Sequence, residues 1–165
     1  MIIRYLKLHN FGIYANDNIF EFKNSKPIVL IGGMNGHGKT TFLEAVLLAL
    51  YGANSFAYIE SRIKSYGQYL KSYVNKADGT MLSFIDLEFT MDKFDNTIYL
   101  IHREWNGNGR RIHDTVTVKK NGVKDEFLTE NWLMFIENIL PSGLSNFFFF
   151  DGEKIAELAM DNSND

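Results

Sequence analysis

The sequence contains no cysteine. That excludes a disulfide scaffold, a thiolate metal site and thiol chemistry, and it fits a reducing compartment. Proline is nearly absent: Pro27 and Pro141 are the only two, and each falls between segments of regular hydrophobic spacing. No Pro- or Ser-rich linker and no internal repeat divides the chain, so its 165 residues suit one domain with a substantial core. Long apolar runs are missing too. Phe147 to Phe150 is far too short to span a bilayer, and Met1-Ile2-Ile3 does not open a signal peptide. A soluble, cytoplasmic protein without membrane contact is the expectation. Neither sign of charge dominates: 17 basic and 20 acidic residues leave −3, which gives no support for a broad nucleic-acid-binding surface, although a local basic strip would not show in a net count.

What is present is apolar and patterned. At 45% hydrophobic and 15% aromatic residues, the chain is not a disordered tail. Residues 2–9 alternate as a strand, 10–18 carry turn residues, and 19–23 alternate again. Ile28 to Ile31 is short, β-branched and bounded by Pro and Gly, the signature of a central strand buried on both faces. Thr40 to Leu50 is apolar nearly all round and reads as a buried helix, with Gly52 as its stop. Residues 53–79, polar and Tyr-rich, read as a helical excursion over the surface. Strands return at 81–91 and 97–105, joined by a turn at Asp95-Asn96, and at 114–119, turned by Asn121-Gly122. Thr129 to Leu140 has helical spacing and ends at Pro141. Phe147 to Phe150 reads as a buried strand, turning through Asp151-Gly152-Glu153 into a last helix at 154–160. The expected architecture is a mixed α/β domain, not a repeated βαβ wheel.

The strongest chemical signal is Gly33-Met34-Asn35-Gly36-His37-Gly38-Lys39-Thr40, which fits G-x-x-x-x-G-K-[ST] between an expected strand and an expected helix. The glycines let the backbone curl so that successive N–H groups point at phosphate oxygens. The helix beginning near Thr40 adds its positive end. Lys39 is placed to reach the β- and γ-phosphates, the Thr40 hydroxyl to ligate Mg²⁺, and Thr41 to bond a further phosphate. The competing reading, a Gly-rich turn with no ligand, is weakened by the flanking strand and helix. His37 stands at a variable loop position, where its backbone N–H is expected to matter more than its ring.

Asp151 has two compatible readings: a carboxylate set beside a bound cation, or an N-cap for the helix that follows. Arg103, Arg110 and Arg111 bracket an Asn/Gly-rich turn and read as a solvated hairpin tip, with a DNA or partner contact as the minor alternative. Trp105 and Trp132 read as packing residues. Hydrolysis requires a second acidic residue at a strand end and a means of activating water. Phe147-Phe148-Phe149-Phe150-Asp151 is the only close match to a Walker B strand, and no Ser-Gly-Gly signature occurs. The chain is therefore expected to be half of an active unit.

The opening Leu8-His9-Asn10-Phe11-Gly12, the strand Ile28–Ile31 and the run from Gly32 to Thr41 resemble the N-terminal lobe of the Rad50 and SMC branch of ABC-type ATPases. In that branch the loop after the first strand often carries an arginine contacting nucleotide. Gly12 departs from this, and no such role is carried over. Residues 27–33, 130–132, 135–141 and 149–155, above all Phe150-Asp151-Gly152-Glu153-Lys154-Ile155, resemble the DndD family, ATPases of bacterial DNA phosphorothioation systems. The resemblance implies an ABC head split by a coiled coil, with residues 1–155 as its N-terminal lobe and 156–165 as the truncated start of the arm. A C-terminal lobe of the same protein would supply the signature and the Walker B carboxylates. Two heads would close as a homodimer around two ATP molecules, and Asp151 would stand at the Q-loop position near Mg²⁺.

The implied function is ATP binding and hydrolysis coupled to DNA sulfur modification. Other phosphorothioation proteins would be partners, DNA would be engaged through the full assembly, and this piece alone would be weak or inactive. The expected catalytic pair is Lys39 and Asp151. Nucleotide would be held by Gly33, Asn35, Gly36, His37, Gly38, Lys39, Thr40 and Thr41, and metal by Thr40 and Asp151. The alternatives are a head lobe of a Rad50-like DNA repair ATPase with a nuclease partner, a small P-loop kinase, or a non-catalytic nucleotide-sensing module. The antiparallel stretch fits a kinase poorly, and the only arginine pair, Arg110-Arg111, lies on an expected hairpin rather than a lid.

Overall fold

The computed structural model describes residues 1–22, 39–92 and 94–145. The strands expected at Ile28–Ile31 and Phe147–Phe150, the last helix, and the boundary at residue 155 lie outside these described residues.

Among the described residues, six antiparallel strands form one sheet in the order β2-β1-β3-β4-β5-β6. They are β1 (Ile2–Phe11), β2 (Tyr14–Glu21), β3 (Leu82–Thr90), β4 (Tyr99–Asn106), β5 (Asp114–Lys120) and the short β6 (Val123–Lys124). Four helices accompany them: α1 (Lys39–Tyr51), α2 (Phe56–Ser61), α3 (Tyr66–Ser72) and α4 (Glu126–Ile139). Period-two alternation divides the sheet into two faces. Leu6, Leu8, Ile85, Leu87, Phe89, Ile101, Trp105 and Val118 form the core with the buried residues of α1 and with Leu128, Trp132 and Ile136 of α4. The opposite face is polar. There Lys7 pairs with Asp86 and Asp86 with His102 across three strands, while the next row is His9, Phe84 and Glu104. His102 Nδ1 lies 2.5 Å from Asp86 Oδ1.

The expected helix at 40–50 is α1, and from Ala45 to Tyr51 every residue is buried. Gly52 follows at φ +56, the left-handed stop anticipated for it. Asn121 and Gly122 adopt φ 51 and 80, the positive pair that a tight hairpin turn needs. The Tyr-rich excursion is helical: Ser55 and Ser65 cap α2 and α3, their hydroxyls accepting from the Tyr58 and Gln68 amides.

Three expectations are corrected. The second strand begins at Tyr14, not at residue 19. The turn is confined to Gly12-Ile13, with Phe11 paired directly to Tyr14, and the polar residues Asn16, Asp17 and Asn18 sit on an edge strand that need not bury them. A register shift between His9 and Phe11 absorbs Asn16 at φ 57, whose amide donates to Asn10 Oδ1 at 2.7 Å. Helix α4 starts three residues early, because Asp125 caps it by accepting from the Leu128 amide at 2.9 Å. The Thr129 hydroxyl instead accepts from the Val118 amide of β5 at 3.0 Å. Finally, Arg103 is not at a solvated tip. It is 6% exposed and points into the core, whereas Arg110 and Arg111 are exposed as expected.

Candidate nucleotide-binding site

The described part of the candidate site is the N-terminal end of α1. Gly33, Asn35, Gly36, His37 and Gly38 lie outside the described residues, as does Asp151, so their juxtaposition with the helix stays an expectation. Lys39 opens α1, Thr40 is exposed in its first turn and Thr41 is half-buried. A thirteen-residue helix with exposed Thr40 in its opening turn offers first-turn N–H groups and a hydroxyl, a donor set that fits a phosphate with its cation. Among the described residues there is no cluster of three or more His, Asp or Glu able to hold a metal alone. Of the residues expected to hold metal, Thr40 is described, and its exposed hydroxyl is an oxygen donor of the kind a hard cation takes.

The rest of the fold fixes this helix at both ends. At the C-terminal end, carbonyls left without helical partners receive side-chain donors. Arg103 Nη2 donates to Ala49 O at 3.2 Å, and Trp132 Nε1 donates to Leu50 O at 2.9 Å. Tyr51 donates its hydroxyl to Leu140 O at 2.7 Å. The Arg103 guanidinium is balanced by Asp114 at 2.6 Å, and Asp114 also accepts from the Tyr66 hydroxyl at 2.5 Å. Burial, then the neighbouring Asp114 charge, pushes the Tyr66 hydroxyl far above its ordinary range, so it remains a donor. A cation beneath the last turn also complements the negative end of the helix dipole.

At the N-terminal end, the β1–β2 corner sits on the first turn. A Cβ on Gly12 would lie 2.8 Å from Thr41 Cγ2, so only glycine at φ +59 permits this approach. The segment after α3 straps the corner in place. The Gly12 amide donates to Tyr73 O at 2.7 Å, and Asn75 donates from its backbone to Asn10 O at 2.8 Å and from Nδ2 to Gly12 O at 2.9 Å. The Tyr73 hydroxyl donates to the Glu44 carboxylate of α1. Glu44, Tyr73 and Arg103 were missed as site-supporting residues. For Glu44 a signal existed, since it is the only charged residue between Thr40 and Tyr51. For Tyr73 and Arg103, partners at 29 and 54 residues' separation leave no local trace.

Residues 5–165 match the family described as AAA domain. The SbcC component of the nuclease SbcCD from Staphylococcus aureus strain MRSA252 is 32% identical over 124 residues, covering 74% of this chain and 11% of that protein. The same component from strain JH9 has the same identity and coverage. The aligned region therefore spans about a tenth of the length of these curated relatives. Among the described residues no helix is long and apolar enough to cross a membrane. The α/β architecture, with its antiparallel six-stranded sheet, is that of the N-terminal lobe of a Rad50/SMC-like ATPase head, and the chain belongs to the AAA domain family.

Proposed function

We propose that this chain is the ATP-binding lobe of a Rad50-like ATPase that works on DNA with a nuclease partner. The observation that carries the reading is the 32% identity to a nuclease component over 74% of the chain. The run from Gly33 to Thr40 leads directly into α1. In this reading the backbone of Gly33, Asn35, Gly36, His37 and Gly38 wraps the phosphates, Lys39 neutralises the β- and γ-phosphates, and Thr41 bonds a further oxygen. Thr40 and Asp151 would hold Mg²⁺, which would supply positive charge to offset the charge that develops on hydrolysis. Lys39 and Asp151 are the catalytic residues on this lobe. The signature and remaining carboxylates come from a C-terminal lobe of the same protein, and two heads close on two ATP molecules.

The test is nucleotide binding and turnover. The isolated chain should bind ATP weakly and turn it over negligibly. Lys39→Ala should abolish binding, and unchanged affinity in that variant removes the P-loop assignment. Robust hydrolysis by the pure chain would sink the shared-site reading.

A second reading, DNA phosphorothioation, has one specific observation in its favour: the DndD-like segment Phe150-Asp151-Gly152-Glu153-Lys154-Ile155. The neighbouring genes separate the two. A nuclease gene beside this one supports the first, and sulfur-mobilising genes support the second.

A further inference from the structure

We propose that Tyr73 is a positioning residue for the phosphate-binding end of α1, acting through Glu44; the inference rests on the nucleotide-binding reading above. The two residues close a ring of contacts around the first turn. Tyr73 donates to Glu44, and Glu44 follows Thr40 by four residues and Thr41 by three, on the same flank of the helix. Thr41 lies under Gly12, and the Gly12 amide returns to the carbonyl of Tyr73 itself. Tyr73 is in turn held rigidly. Its ring stacks on Phe11 with centroids 4.5 Å apart and planes 3° from parallel, and Tyr69 meets it edge-on at 5.0 Å. Val74 bridges to Phe11, which ties the strap to β1.

This ring does different work from the contacts at the other end of the helix. Arg103 and Trp132 dock the last turn on the sheet and on α4 whether or not Tyr73 is present. Removing the Tyr73 hydroxyl therefore leaves α1 packed but frees the swing of its first turn. A phosphate site depends on that turn, because its N–H groups act only when aimed at the oxygens they bind. Burial, and then the bond to Glu44, holds the Tyr73 hydroxyl far above its usual range, so it stays protonated and available as a donor.

The experiment titrates this chain with Mg²⁺ and a fluorescent ATP analogue, and follows amide exchange and thermal unfolding in parallel. Tyr73→Phe keeps the stack on Phe11. It should weaken binding about tenfold, through the loss of alignment of the first-turn N–H groups. Exchange should accelerate at residues 40–44 while β3 and β4 stay as in the wild type, and the unfolding midpoint should fall by only a few degrees. Glu44→Gln retains an acceptor and should bind nearly as the wild type does. Glu44→Ala should match Tyr73→Phe, and the double variant should be no worse than either. Wild-type affinity in Tyr73→Phe overturns the proposal, as does a loss accompanied by faster exchange throughout β3 and β4, or Glu44→Gln failing as badly as Glu44→Ala. Lys39→Ala separates the two inferences. If it is dead while Tyr73→Phe binds normally, only the positioning role falls; if it binds normally, both fall.

Discussion

Arg103 shows what a single buried charge does here. Its guanidinium meets Asp114 and Ala49 O, and both side chains of the ion pair are largely excluded from water. Breaking one side of such a pair leaves the other charge uncompensated, so Arg103→Met should cost about 3–5 kcal/mol in a denaturant titration. A cost below about 1 kcal/mol would mean that water already reaches Asp114. Local sequence could not reveal this residue, because Arg103 beside Asn106, Gly107 and Asn108 has the composition of a solvated hairpin end. On the far face of the sheet, His102 makes the opposite kind of bond, half-exposed and reversible. Its hydrogen bond to Asp86, with a further contribution from Glu104, raises its pKa above the ordinary 6.5. A raised folded-state value means that the bond stabilises fully below the unfolded value and is lost as pH rises through the folded one. Wild type should therefore exceed His102→Gln in stability by more at pH 5.5 than at pH 9, measured by denaturant midpoints; a constant difference would place the bond outside the titration.

The helix α1 was the most legible element, because Phe42 to Tyr51, apolar but for Glu44, permits little but a buried helix. Its stop was legible for the same local reason, a glycine after the last apolar residue. The structure adds that this glycine is required twice over. Gly52 holds φ +56, and a Cβ there would stand 2.8 Å from Arg103 Nη1. Gly52→Ala should therefore destabilise the fold by about 1–3 kcal/mol, combining left-handed strain with displacement of the guanidinium. Placing Gly52→Ala on an Arg103→Met background checks the second part, since the alanine should cost less once the guanidinium is gone. Elements whose limits depend on partners were less legible. Nothing local says that residues 14–18 pair with β1, because an edge strand accepts Asn, Asp and Asn as readily as a turn does. The start of helix α4 was placed from its apolar spacing, which begins after the turn that Asp125 caps.

At the scale of the molecule, the run from Gly33 to Thr40 reads as a phosphate-binding motif from its residue spacing alone. The supports of the helix behind it cannot be read that way, since they come from β1, the strap and β4. Under the proposed function, the same scale bears on where DNA would be met. The open face of the sheet carries Arg4, Lys7, His9, His102 and Lys119, and the first four each have a carboxylate neighbour: Arg4 with Glu88 at 3.4 Å, Lys7 with Asp17 at 3.6 Å, His9 with Asp17 at 2.6 Å, and His102 with Asp86. A duplex laid on this face would have to displace carboxylates before it gained phosphate contacts, and the chain as a whole bears −3. Affinity for duplex DNA arises chiefly from released counterions, about one per neutralised phosphate, and paired cations release few. The isolated chain should therefore bind a 30-base-pair duplex more weakly than about 10⁻⁴ M at physiological salt, with a shallow salt dependence in fluorescence anisotropy. Tight binding with a steep slope would show that this lobe grips DNA by itself. Weak binding would, under the proposed function, assign DNA contact to surfaces formed when this lobe is joined to a C-terminal lobe.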